Sequence, residues 1–360
     1  MIEELLVSDF LSDAMKACLG GFVIGLMFGV FAQSSRFCLR SACVEFWTGR
    51  GPGRFGANVI VWLCVFGTAL ALTQALFLGG LLEASEVRQL SSAGTISGAI
   101  IGGLLFGTGM ILTRGCASRL LVLSATGNAR ALLAGLIVTV VAQASLSGVL
   151  SPLRQSLSTL WIAPPEIRNL SLYLPDGTGL ALGVACIGLA AVFAGRARVG
   201  WGRTVFAILV GVCVAAGWAF TASLSRVSFD PVAVGSVTFT GPSADTLMTL
   251  ITAPSIIPEF GIGLVPGVFL GSFLSSVVRR EFRLQSFTDE TGTLRYIVGA
   301  VLMGFGGMLA GGCAVGAGIT GGAVLASTAW VALFFMWVGA GLCDRLLNSR
   351  QLAPSPQGIN

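Results

Sequence analysis

The sequence predicts an all-α polytopic membrane protein with about nine transmembrane helices. Of its 360 residues, 54% are hydrophobic and only 10% are charged, and its mean hydropathy is +0.89. Soluble domains carry about a quarter charged residues. The apolar runs approach the length of a helical span, whereas the strands of a β-barrel would alternate over about ten residues. The 50 glycines favour helices that pack closely or are interrupted.

Apolar windows place the predicted spans in order along the chain. They are 17–34, 57–79, 94–112, 130–150, 178–195, 204–222, 259–278, 295–311 and 327–346. Arginine clusters fall at one set of span ends, and acidic residues fall at the other set. The positive-inside rule then predicts a multi-pass protein of the bacterial inner membrane, with the N-terminus outside and the C-terminus cytoplasmic. In this setting the net charge of +5 reflects topology and does not indicate nucleic-acid binding.

Four stretches between the spans are too polar or glycine-rich to cross a bilayer, yet too apolar for solvent loops. They are 35–48, 113–126, 227–250 and 311–325. Backbone of this kind is tolerated at membrane depth only where it is buried in protein or lines a wet cavity. The sequence therefore predicts four re-entrant segments, each a break followed by a short helix. The stretch 228–245 is expected to line the outer mouth.

An internal repeat relates these segments. Residues 102–117 align without gaps on 299–314, with several glycines and Cys116/Cys313 in register. Weaker copies place Cys38 on Cys116, and Ser228 on Cys38. We predict two inverted repeats with pseudo-two-fold symmetry, the plan of many transporters. The domains are 1–150, the first repeat; 151–203, an outer loop and linker span; 204–346, the second, inverted repeat; and 347–360, a cytoplasmic tail.

Seven residues at the breaks form the candidate transport path, four at the aligned break position and three arginines two residues earlier. They are Cys38, Cys116, Cys313, Ser228, Arg36, Arg114 and Arg226. A buried cysteine is usually inert packing, and an arginine near a span end usually reaches to the interface. Recurrence at matched positions favours function here. The short helices would offer free N–H groups to an anion, and thiols suit a soft, polarisable one.

Several chemistries are disfavoured. The chain has no histidine, which removes imidazole relays and His-based catalytic pairs. Nine cysteines without a CxxC motif give no metal or disulfide framework, so we expect no cofactor and no enzyme. Glu45, on one of the short helices, is expected to pair with Arg40 or Arg50. Glycine pairs such as Gly102 with Gly107, and Gly299 with Gly304, indicate close helix crossings.

The chain resembles the YeeE/YedE family of membrane proteins through four motifs that span nearly its whole length. They are FCLRSA (37–42), TRGCASR (113–119), SFDPVAVGSVTFTGP (228–242) and AGGCAVGAG (310–318). The resemblance implies an inverted repeat with four re-entrant helices and uptake of thiosulfate. It also implies a pore of three cysteines, here Cys38, Cys116 and Cys313, which pass the ion by hydrogen bonds to sulfur without covalent chemistry. A TusA-like cytoplasmic sulfurtransferase is an implied partner.

Two alternatives remain open. The protein could be a membrane thiol enzyme whose cysteines carry sulfane sulfur as a persulfide, with arginine supplying the cationic partner that a thiolate needs. It could also be a channel or carrier for another small anion or a selenium compound. Intramembrane carboxylates are nearly absent, so facilitated flow is favoured over a proton- or sodium-coupled cycle.

Overall fold

A computed structural model describes residues 12–49, 55–197, 199–228, 232–252, 258–285 and 292–352. Within these residues the fold is almost entirely helical. The helices are α1 Asp13–Ser35, α2 Leu39–Thr48, α3 Ala57–Leu78, α4 Arg88–Ser91, α5 Ile96–Leu112, α6 Ala117–Ala125, α7 Ala129–Leu146, α8 Ser151–Ser158, α9 Pro165–Arg168, α10 Thr178–Ala194, α11 Trp201–Val227, α12 Thr240–Thr252, α13 Phe260–Val278, α14 Thr293–Leu309, α15 Gly321–Ala323 and α16 Ser327–Leu352. A π-helix covers Ala314–Thr320, a 3-10 turn covers Leu170–Leu172, and strands β1 Gly94–Thr95 and β2 Ile162–Ala163 pair antiparallel.

The predicted all-α polytopic class is confirmed. Eight helical stretches in the described residues are long and apolar enough to cross a membrane. The remaining predicted span, 178–195, corresponds to α10, an apolar helix of 17 residues. The last helix, α16, continues to Leu352 and so extends into the segment predicted as a tail. The domain boundaries themselves stay predictions.

Polar residues fix where the spans begin. The Thr95 hydroxyl accepts a hydrogen bond from Gly98 N at 2.9 Å and starts α5. The Asn128 side chain accepts from Ala131 N at 3.0 Å and starts α7. Such caps satisfy amides that a helix cannot pair internally, which matters most where water is excluded.

Glu45, which was expected to pair with Arg40 or Arg50, caps a helix. Its carboxylate accepts hydrogen bonds from Asn58 N at 2.7 Å and Val59 N at 3.1 Å, at the start of α3. A carboxylate is favourable there because the first amides of a helix are unpaired and carry partial positive charge. Arg50, one of the two partners expected for Glu45, lies outside the described residues.

A reciprocal glycine seam joins α1 to α13. A Cβ atom added to Gly25 would lie 2.4 Å from the carbonyl oxygen of Leu264, and one added to Gly267 would lie 2.3 Å from that of Phe22. The same pattern recurs one helical turn to either side, so the backbones touch over three turns. Contacts advance in the same direction along both helices, which makes α1 and α13 parallel. Only glycine permits this approach.

The glycines predicted to mark helix crossings do so. Gly102 faces the backbone of Ala310. A Cβ atom added to Gly107 would lie 2.3 Å from the carbonyl oxygen of Met336. Gly304 faces the carbonyl of Val138 at 2.8 Å on the same measure. The helix α5 thus lies between α14 and α16, antiparallel to the first and parallel to the second.

The pattern of contacts between helices stays the same when each helix is replaced by its equivalent in the other half of the chain. The pair α1–α13 has its counterpart in α3–α11, and the pair α5–α16 has its counterpart in α7–α14. The pairs α1–α11 and α5–α14 join helices that the repeat makes equivalent. This pattern is what two related halves would produce. The pseudo-two-fold symmetry and the re-entry of the short helices stay predictions.

Candidate functional site

Three of the four predicted breaks share one backbone motif. The residue two before each cysteine has a left-handed conformation: φ is 55° at Arg36, 57° at Arg114 and 83° at Gly311. At each break the next amide bonds to a carbonyl five residues back, as in Gly115 N to Met110 O at 3.1 Å and Gly312 N to Gly307 O at 2.8 Å. This is a common way to end a helix while pairing its last carbonyls. The repeated spacing therefore has a structural cause: it stops one helix and aims the next.

Each cysteine then begins a new helix. Cys38 precedes α2, Cys116 precedes α6 and Cys313 precedes the π-helix, all with extended backbone at the cap position. The Cys313 sulfur accepts a hydrogen bond from Gly316 N at 3.4 Å. The three residues are only 6%, 1% and 0% exposed, in chain order. The thiols are thus sealed from bulk solvent in this structure, beside the unpaired amides of three helix starts.

Two of the three thiols are in contact. The sulfurs of Cys38 and Cys116 lie 4.0 Å apart, although 78 residues separate them in sequence. The Cys116 sulfur also lies 3.4 Å from the Ser118 hydroxyl. Arg119, on the first turn of α6, interacts electrostatically with both thiols. The structure therefore brings two predicted path residues together beside a guanidinium group.

The helix that starts at Cys313 contacts a helix of the thiol pair. The π-helix that starts at Cys313 contacts α6, which starts at Cys116. The π-helix also packs against the chain that precedes α12. A Cβ atom added to Gly316 would lie 2.1 Å from the Thr238 hydroxyl oxygen. The Thr320 hydroxyl donates to Val237 O at 2.6 Å. Thus the helix of the third thiol contacts both α6 and the predicted segment 227–250.

The predicted segment 227–250 departs from the aligned pattern. Ser228 caps the end of α11, and its hydroxyl donates to Asp13 Oδ2 at 2.8 Å. The short helix α12 begins only at Thr240, and the described residues before it, 232–239, form no helix or strand. Hydroxyl groups hold this stretch, as where Ser236 donates to Val214 O. Residues 229–231 lie outside the described part of the chain.

Arg226 lies in an ion-pair cluster. Its guanidinium contacts the Glu86 carboxylate at 3.0 and 3.3 Å and donates to Gly80 O at 3.1 Å. Glu83 is 4.0 Å away. These contacts tie the end of α11 to the loop after α3. Unlike Arg36 and Arg114, Arg226 is within its helix and not at a left-handed break.

An arginine-lined cavity of about 350 Å³ includes Arg119, the residue that interacts electrostatically with the thiol pair. Its charged lining comes from four guanidinium groups and one carboxylate, and Gln33 adds an amide. The charged residues are Arg36, Arg119, Arg280, Arg283 and Glu281. The volume is at the lower end of the range of about 300–1,000 Å³ usual for small-ligand sites. Its excess of positive charge suits a small anion.

A chain of polar contacts crosses this cavity. Arg119 donates to Gln33 Oε1 at 3.3 Å, and Gln33 Nε2 donates to Glu281 Oε2 at 3.0 Å. The other Glu281 oxygen lies 3.5 Å from Arg36 Nη2. The chain runs from exposed Arg36, whose side chain is 64% accessible, to Arg119 beside the thiols.

Sequence reasoning missed Arg119, Gln33 and Glu281 as site residues. Arg119 was interpreted only as a marker of topology, although it follows Cys116 by three residues and so shares the first turn of its helix. Glu281 is the single acidic residue in the run RREFR, at 279–283. A lone carboxylate in a basic run was a usable signal. Gln33 gave a weaker one, as an amide inside an apolar span.

The fold and the site define a class: a polytopic α-helical membrane protein in which interrupted helices meet around buried thiols and a cationic cavity. Comparison with known proteins specifies this class further. The chain belongs to the Sulphur transport family, whose profile matches residues 34–342. This confirms the family resemblance that the four sequence motifs indicated.

Two curated relatives cover nearly the whole chain. The thiosulfate transporter TsuA of Escherichia coli (strain K12) is 27% identical over 359 residues, covering 92% of this chain and 95% of the relative. The thiosulfate transporter TsuA of Spirochaeta thermophila is 30% identical over 339 residues, covering 89% and 96%. Both are named as transporters, so this chain is assigned to transport proteins and not to enzymes.

Proposed function

We propose that this protein imports thiosulfate across the bacterial inner membrane by a non-covalent relay between thiols. The observation that carries the proposal is the contact of Cys38 and Cys116 at 4.0 Å beside Arg119. Both curated relatives are named thiosulfate transporters, which supports the choice of permeant.

The chemistry of the site suits this ion. Thiosulfate has a terminal sulfur that is soft and polarisable, and hard oxygens that carry charge. A thiol is a weak hydrogen-bond donor and a soft acceptor, so neighbouring thiols offer sites that bind the sulfur and release it easily. Arg119 and the free amides of the helix starts balance the negative charge. Hydroxyl groups alone would serve an ordinary oxyanion better.

The predicted orientation assigns the arginine-lined cavity to the cytoplasmic end of the path. The N-terminus lies outside, the C-terminus lies in the cytoplasm, and the arginine-lined cavity opens at the cytoplasmic end of α1 and α13. The exchange pattern of helix contacts supports two inverted repeats around a central path. Since the thiols are sealed, passage requires the short helices to move. A TusA-like sulfurtransferase would take the ion at the cytoplasmic face.

Uptake by the purified protein in liposomes tests the proposal. We expect saturable uptake of labelled thiosulfate and far slower uptake of sulfate at the same ionic strength, because sulfate lacks the soft terminal sulfur. Protein-free liposomes give the leak rate. Equal uptake of thiosulfate and sulfate would contradict a role for thiol softness, and no uptake of thiosulfate would contradict the assignment.

One observation favours a covalent variant, in which a cysteine thiolate attacks the terminal sulfur of thiosulfate. The S–S bond of thiosulfate breaks, sulfite leaves, and the cysteine holds the sulfane sulfur as a persulfide. A guanidinium beside two thiols stabilises a thiolate, the form that attacks sulfur. Mass spectrometry of the protein after transport separates the two mechanisms. The non-covalent relay predicts unmodified Cys116, whereas the covalent variant predicts the added mass of one sulfur atom that dithiothreitol removes.

A further inference from the structure

The arginine-lined cavity contains a negatively charged side chain of the protein itself. Glu281 is the one carboxylate among its described lining residues, and it contacts Gln33 and Arg36 at 3.0 and 3.5 Å. It also interacts electrostatically with Arg119. A small oxyanion that entered the cavity would need these same donors. The carboxylate and an incoming anion therefore compete for them.

The backbone fixes Glu281 in this position. Arg280 ends α13 in a left-handed conformation, with φ of 56°, and Glu281 N bonds back to Ser276 O at 2.8 Å. The next residues are pinned as well, because Arg283 N donates to Thr126 O at 3.2 Å and Gln285 N donates to Gly127 O at 2.9 Å. The carboxylate is thus presented to the cavity from a firmly anchored turn.

Arg119 links the cavity to the thiol pair. It forms part of the cavity wall and interacts electrostatically with Cys38 and Cys116. Gln33 joins Arg119 to Glu281, and it is 6% exposed. An anion leaving the thiols in this direction would meet Arg119 first and Arg36 last.

We propose that this cavity is a binding site for small divalent oxyanions and that Glu281 is an internal competitor that keeps the site weak. The carboxylate holds the donors when the site is empty, gives way when an anion arrives, and returns to speed its release. The role in release rests on the proposed function, whereas the binding site does not. A weak terminal site suits transport, since each site must release what it binds.

Sulfate is the probe, because its binding here depends on charge and not on the thiols. Calorimetric titration of the purified protein at constant ionic strength compares wild type with Glu281→Gln. The amide keeps the shape and removes the competing charge, so we expect sulfate to bind about three- to tenfold more tightly. Glu281→Asp, which shortens the side chain and keeps the charge, should give a smaller gain. It also serves as the test if Glu281→Gln does not fold.

Glu86→Gln is the matched control, since Glu86 also pairs with an arginine, Arg226, at 3.0 Å but in the cluster around the loop after α3. Its sulfate affinity should equal that of wild type. Unchanged affinity in Glu281→Gln, or an equal gain in Glu86→Gln, would overturn the proposal. Parallel assays of thiosulfate uptake separate the two claims. Tighter sulfate binding without wild-type uptake keeps this site and rejects the transport proposal, and the converse result rejects this site alone.

Discussion

At the scale of single residues, the spacing of arginine and cysteine has two causes. Arg36 and Arg114 occupy left-handed positions that end a helix, where Gly311 stands in the third copy. A residue other than glycine is strained there, by about 1 kcal/mol or more. Retaining arginine at two such positions is consistent with a use for its charge. The guanidinium next to the thiols, however, belongs to Arg119.

Removing the Arg119 charge should therefore impair transport more than removing a surface arginine. We expect Arg119→Gln to lower thiosulfate uptake roughly tenfold or more, since hydrogen bonds to a charged group contribute about 1.5–3 kcal/mol. Arg119→Lys, which keeps the charge but loses the planar, multi-donor guanidinium group, should retain part of the uptake rate. Initial rates in liposomes measure this, with Arg196→Gln, an exposed arginine near Phe193, as control. Equal rates for Arg119→Gln and Arg196→Gln would contradict the role.

The thiol contact makes a separate prediction. With the sulfurs of Cys38 and Cys116 at 4.0 Å, a mild membrane-permeant oxidant should join them and stop uptake, and dithiothreitol should restore it. Peptide mapping by mass spectrometry identifies the bond. The Cys116→Ser protein is the control and should form no bond at Cys38. Failure of Cys38 to pair with Cys116 under conditions that oxidise other cysteines would contradict the geometry.

At the scale of helices, close packing depends on glycine. The seam between α1 and α13 brings backbone to backbone at Gly25 and Gly267, among others. It also aligns the ends of the two helices, where Arg36 and Glu281 meet at 3.5 Å. In a bilayer such packing replaces the hydrophobic effect as the force between helices. The seam thus positions the cavity as well as the fold.

A single added methyl group should disturb this seam. In Gly25→Ala the new Cβ would lie 2.4 Å from Leu264 O, so the helices must separate, at a cost of about 1–3 kcal/mol. Thermal unfolding in detergent should show a lower midpoint than wild type. Gly188→Ala on α10 is the control, because its Cβ meets nothing within 4 Å. An unchanged midpoint for Gly25→Ala would show that the seam is looser than described.

At the scale of the whole molecule, helix directions agree with the predicted topology. The parallel run of α1 and α13, and the antiparallel run of α5 and α14, are those of nine alternating crossings. Which face is cytoplasmic is predicted from the distribution of charge. The arginine-lined cavity is at the face where the positive-inside rule places the cytoplasm.

Reporter fusions test this orientation. A fluorescent protein after the C-terminus should fluoresce, because it folds in the cytoplasm, and alkaline phosphatase fused after Asp176 should be active, because it folds outside. The same two reporters exchanged between the positions are the control and should be inactive. The reverse pattern would invert the protein and make the arginine-lined cavity an entrance.

Much of this arrangement could be predicted from sequence, for physical reasons. Apolar runs fixed the spans, and the register of Cys116 with Cys313 correctly matched two breaks. The break in segment 227–250 could not be placed by alignment, because α12 starts at Thr240 after irregular chain that no local pattern predicts. The contact of Gln33 with Glu281 was equally hidden, since 248 residues separate them in sequence. The capping role of Glu45 was hidden as well, because the sequence does not show that its carboxylate reaches the free amides at the start of the next helix.

The central claim is that thiosulfate passes along the thiols, and one comparison tests it most directly. Uptake of labelled thiosulfate into liposomes is measured for Cys116→Ser and for Cys64→Ser, whose cysteines are 1% and 2% exposed in wild type. Both variants place a hydroxyl in a buried site, but only Cys116 contacts a second thiol. We predict that Cys116→Ser loses most uptake while Cys64→Ser keeps it. Equal uptake by the two variants would contradict the thiol path.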